Sequence, residues 1–147
     1  MSEQGNILLL DHDESCRKTV SDFLVASGYT VEVATDDDMA VRRTVESAFD
    51  AVIVGIDSEI GLTGGPILRM KSTGSSVEVI AITEHNSANQ SMEALAQGAY
   101  CYVQRPVQLP VLLHRVRNAV AHHMFHTSTQ TYQEQRGTSG SELRNRI

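Results

Sequence analysis

The stretch Ile7-Leu8-Leu9-Leu10-Asp11-His12-Asp13 decides the fold. Four consecutive large apolar residues leave no polar face, so the run reads as a strand buried on both sides, and it ends abruptly in charged residues. Working outward, the same design recurs. Thr30 to Ala34, Ala51 to Ile56, Val77 to Ile82 and Cys101 to Val103 are further short strand candidates, with helically spaced segments between them. This alternation predicts an α/β architecture in which a parallel sheet is covered on both faces by helices.

The intervening segments carry helix signals of their own. Cys16, Val20, Phe23, Leu24 and Ser27 share one face of a first helix, with Asp13 as its cap and Gly28 as its stop. Asp36-Asp37-Asp38 open a second helix, where the dipole favours negative charge, and Val41, Val45 and Ala48 are its expected inner face. A third follows Gly64-Gly65-Pro66 and uses Ile67, Leu68 and Lys71. Ser87 and Gln90 form a capping-box pattern for a fourth, in which Met92, Leu95, Ala96 and Ala99 repeat at helical spacing. The fifth starts near Pro110 and runs through Leu112, Leu113, Val116, Val120 and His123. Beyond Phe125 the composition turns to Thr, Ser, Gln, Gly and Arg, giving a domain over 6–125 and a polar tail or linker over 126–147, with continuation of the fifth helix as the other reading.

The bulk properties set limits on function. A chain of 147 residues suits one domain with a substantial core. It has no apolar run near the length of a membrane span, and Met1 to Asn6 lacks the features of a secretory signal, so a soluble, cytoplasmic protein without membrane contact is expected. Its net charge of −6 argues against direct nucleic-acid binding by this segment. The two cysteines, Cys16 and Cys101, sit in apolar patterns and read as reduced, buried thiols. His122 and His126 stand at a helical spacing that can bind zinc, but a solvated helix end is the preferred reading.

In open parallel sheets ligands collect at the carboxyl ends of the strands, where Asp11, His12, Asp13, Gly55, Asp57, Thr83, Glu84 and Arg105 all fall. Two carboxylates there suit a hard divalent cation, a hydroxyl suits a phosphoryl oxygen, and a cation neutralises its charge. There is no Gly-rich phosphate loop with its lysine and no Ser/His/Asp arrangement, so nucleotide hydrolysis and acyl transfer rank low and no catalytic residue is assigned.

From Asn6 to Phe125 the chain resembles the receiver domains of bacterial two-component response regulators. The resemblance rests on Ile7 to Ser15, Phe49 to Gly55, Val79 to Thr83, and Gln97-Gly98-Ala99-Tyr100-Cys101-Tyr102-Val103-Gln104-Arg105-Pro106. It implies a flavodoxin-like, doubly wound sheet of five parallel strands with five helices, in three α/β/α layers. It also implies a signalling role without enzymatic activity, in which a histidine kinase passes a phosphoryl group to an aspartate beside Mg²⁺. Asp11 matches the first acid of the family's pair, but His12 stands at the second, with Asp13 either compensating as a metal ligand or capping the helix. Imidazole is a poor ligand for Mg²⁺, so metal affinity is expected to be weakened. Thr83 matches the family's hydroxyl and Tyr102 its switching aromatic, although an aromatic there also suits plain packing. Arg105 replaces a lysine, either neutralising the phosphoryl group or forming a structural ion pair with Asp11 or Asp57.

The acceptor position departs most from the pattern. Counted from Phe49, the acceptor falls on Gly55, which has no nucleophile; counted back from Gly64-Gly65, it falls on Asp57. Along an extended strand those positions lie about 6 to 7 Å apart, too far for one phosphoryl site unless a bulge at Gly55 intervenes. The expectation is therefore an atypical receiver that works through protein contacts with a histidine kinase or another signalling protein. The family's dimerisation surface, formed by the fourth helix, fifth strand and fifth helix, would carry those contacts or a homodimer. The alternatives are a conventional phosphoacceptor using Asp57 with Mg²⁺, and a flavodoxin-like module that binds a small ligand.

Overall fold

A computed structural model describes residues 4–56 and 65–125. The described chain runs β1 (Asn6–Leu10), α1 (Glu14–Ala26), β2 (Thr30–Ala34), α2 (Asp37–Glu46), β3 (Ala51–Gly55), α3 (Pro66–Ser72), β4 (Glu78–Thr83), α4 (Ala88–Ala96), β5 (Cys101–Gln104) and α5 (109–125). All strand pairs are parallel, in the order β2-β1-β3-β4-β5. This is the parallel sheet expected from the alternation, in the doubly wound, flavodoxin-like form that the resemblance implies. Asp57 and the polar segment 126–147 lie outside the described residues.

Side chains alternate across each strand, and the all-apolar runs therefore feed two cores at once. Ile7 and Leu9 join Ala51, Ile53, Ile80 and Ile82 beneath α1 and α5, which contribute Val20, Leu24, Leu112, Val116 and Val120. Leu8 and Leu10 join Val52, Val54, Val79 and Ala81 on the opposite face, under Ala40 of α2, Ile67 and Met70 of α3, and Ala94 of α4. Burying one such side chain stabilises the fold by about 1.5–3 kcal/mol. Asp13 caps α1 by accepting from the Cys16 amide, and Gly28 ends that helix with φ +102°, a conformation glycine adopts without strain.

In three helices the inward face differs in part from the one expected. In α2 Ala40 is buried and the expected Val41 packs against the core, while Val45 is exposed and Ala48 lies beyond the helix end. In α3 Ile67 is buried as expected, but Met70 rather than Leu68 joins it in the core. In α4 Ser91 and Ala94 face the sheet, leaving Met92 70% and Leu95 44% exposed. Small residues at that contact let α4 lie close against β4 and β5. The capping box on this helix is half formed: Ser87 accepts from the Gln90 amide, but the Gln90 side chain accepts from the amide of Glu84. Near the end of α5, His122 is engaged with Glu78, and the His123 ring meets the Ser76 carbonyl at 3.1 Å; His126 is outside the described residues. No helix among the described residues is long and apolar enough to cross a membrane.

Candidate functional site

The chain reverses its direction of winding between β1 and β3, and a crevice at the carboxyl ends of those strands follows from the topology. A cleft of about 410 Å³ opens there, lined by Asp11, His12, Asp13, Gly55, Ile56, Glu84 and Arg105. Asp11 directly follows β1 and is only 3% exposed. Its carboxylate accepts from Arg105 Nη2 at 3.1 and 3.3 Å and from the Asp13 amide at 3.0 Å. Arg17 Nη1 donates to its carbonyl at 3.1 Å. Arg105 also lies 3.7 Å from Glu84 Oε1 through Nε. Burial works against the guanidinium charge, but attraction and hydrogen bonding to Asp11 outweigh it and raise the Arg105 pKa. The Arg105–Pro106 peptide bond is cis.

Gly55 ends β3 directly beneath this ion pair. A Cβ at that position would stand 2.6 Å from Asp11 Cγ and Oδ1 and 2.9 Å from Arg105 Nη2. The volume into which a side chain would project is thus already filled. Cys16 lies beside the pair, and burial, followed by the hydrogen bond and charge of Asp11, pushes its thiol up to about 11 while Arg105 opposes the shift. Such a thiol is protonated and weakly nucleophilic at neutral pH.

The remaining candidate residues are dispersed. Thr83 is fully buried, paired with Ser91 Oγ at 3.1 Å and 3.5 Å from the Val103 carbonyl, and is not among the described residues lining the cleft. Tyr102 points outward at 36% exposure and borders a second cleft of about 400 Å³ with His85, Val111 and Arg115. His12 turns toward the start of α2, with Nε2 3.5 Å from Asp37 Oδ1. The sequence reading did not single out Ser91. Its position eight residues after Thr83 signals nothing until α4 is known to face the sheet through its small residues.

Mg²⁺ requires several oxygen ligands in near-octahedral geometry at about 2.0–2.1 Å. Here Asp11 is engaged by Arg105 and an amide, Asp13 Oδ1 caps α1, His12 faces Asp37, and position 55 offers no donor. No three His, Cys, Asp or Glu side chains among the described residues converge to hold a metal ion. These residues do not fit the ion.

A family model described as the response regulator receiver domain matches residues 7–117. The response regulator MprA of Mycobacterium ulcerans (strain Agy99) is 30% identical over 112 residues, covering 76% of this chain and 48% of that protein. YkoG of Bacillus subtilis (strain 168), described as an uncharacterized transcriptional regulatory protein, is 28% identical over 119 residues, covering 80% of this chain and 52% of that protein. The chain thus spans about half the length of the curated relatives it matches. A putative response regulator from Chloroflexus aurantiacus J-10-fl superposes with a TM-score of 0.72 at 20% identity, covering 81% of this chain and 99% of that one, which speaks for the fold alone. A family match that begins in β1 and ends in α5 takes in the whole sheet and the cleft at its switch point, and on that ground the chain belongs to the receiver domains of two-component response regulators.

Proposed function

We propose that this receiver domain signals through protein contacts, without a conventional aspartyl phosphate. One observation carries the reading: the place of an acceptor side chain at the end of β3 is taken by the Asp11–Arg105 ion pair, 2.6 Å from where a Cβ would stand. Thr83, the hydroxyl a phosphoryl oxygen would need, is hydrogen-bonded to Ser91 inside the protein. Mg²⁺ is not required by this reading, and neither Asp11 nor Asp13 serves as a ligand in it.

The contacts belong to the face of α4, β5 and α5. Met92, Leu95, Tyr102 and Val111 expose apolar surface on those elements, and Tyr102 and Val111 border one cleft; exposed apolar surface of this kind suits an interaction face. The partner is a signalling protein, a histidine kinase in the simplest case, or a second copy of this chain. Tyr102 serves as a contact residue in this reading.

The test is incubation of the full chain with acetyl phosphate and MgCl₂, followed by intact-mass analysis beside Asp57→Ala. No phosphoryl adduct is expected on either protein. An adduct on the wild type that disappears in Asp57→Ala would make Asp57 the acceptor and overturn the proposal.

A further inference from the structure

We propose that Arg105 is an internal cation standing in place of a divalent metal in this cleft, and that Gly55 is the residue that makes room for it. Asp11 is 3% exposed, and a buried carboxylate is stable only when paired and hydrogen-bonded. Arg105 supplies both requirements through Nη2, which touches the two oxygens at 3.1 and 3.3 Å. Its Nε lies 3.7 Å from Glu84, so one planar guanidinium addresses acidic groups at the ends of β1 and β4 together. A bound metal would perform the same bridging between carboxylates.

The arrangement depends on the glycine. With any other residue at 55, a Cβ would meet Asp11 Oδ1 at 2.6 Å and Arg105 Nη2 at 2.9 Å, and both partners of the pair would have to shift. Gly55 and Arg105 are therefore linked departures: the first clears the space that the second fills. Because the cation is covalently part of the chain, it is present at any metal concentration. The inference goes beyond the contact reading, since it concerns the counter-ion of the cleft and holds whether or not the exposed face has a partner.

The experiment measures thermal melting of the full chain in EDTA and in millimolar MgCl₂ or MnCl₂, for wild type, Arg105→Ala and Arg105→Ala/Asp11→Asn. The wild-type melting temperature should be the same with and without metal. Arg105→Ala should melt lower in EDTA and recover part of the loss in metal, and Asp11→Asn should abolish that recovery. Titration of the wild type with Mn²⁺, followed by electron paramagnetic resonance, needs no destabilised variant and should show no stoichiometric site. A stoichiometric Mn²⁺ site lost in Asp11→Asn, or Arg105→Ala that folds and responds to neither condition, would overturn the inference. An aspartyl phosphate at Asp57 without such a metal site would defeat the contact reading and leave this one standing.

Discussion

Gly55 is required by its neighbours, not by its own backbone. Alanine there brings a Cβ to 2.9 Å from the end of the Arg105 side chain and to 2.6 Å from a short carboxylate that is itself buried and pinned, and the carboxylate has the less room to give. Gly55→Ala should therefore destabilise the domain by about 1–3 kcal/mol, the usual cost of overpacking, read as a lower urea midpoint at unchanged slope. That Gly55 ends the third strand was legible in the sequence, because the apolar run Ala51 to Val54 stops there. The pairing of Arg105 with Asp11 was one of two open readings there, because a sequence shows which charges reach a cleft and not which of them touch. The engagement of Thr83 by Ser91 was invisible, since it depends on which side of a helix faces the sheet.

The strands were read almost to the residue, because short apolar runs such as Ile7 to Leu10 and Ala51 to Val54, bounded by polar residues or glycine, have few other fates. The inner face of α4 was not. The sequence reading weighs side-chain hydrophobicity, whereas close approach of a helix to a sheet selects for small size. Met92 and Leu95 outrank Ser91 and Ala94 in hydrophobicity, yet the latter pair is inside. The two criteria order a pair of substitutions in opposite ways. Ser91→Leu should cost about 1–3 kcal/mol through overpacking, while Met92→Ser should stay within about 0.5 kcal/mol. Equilibrium denaturation of both variants distinguishes the criteria.

The whole domain inherits an acid sensitivity from the link between β2 and α2. Arg43 grips Glu32 with Nε at 2.5 Å and Nη2 at 3.0 Å, and these hydrogen bonds hold the Glu32 carboxyl below its ordinary value although partial burial opposes them. A carboxyl lowered on folding contributes stability above its unfolded pKa and loses it as pH falls through the folded value. Urea midpoints measured as the pH drops below about 4.3, the ordinary glutamate value, should decline less steeply in Arg43→Gln than in the wild type. The fold class was legible at this scale because five alternations of strand and helix admit few topologies. The pairings of α5 with the sheet were not, because they join residues distant in sequence. Those pairings have a mechanical consequence. Arg105, just ahead of α5, is anchored to Asp11 at one end of the sheet, and His122 and His123, near the helix's far end, are anchored to Glu78 and the Ser76 carbonyl at the other. An α5 held at both ends over about 25 Å would act as a strut, carrying a displacement at the cleft to its last described turn as a tilt of the whole rod.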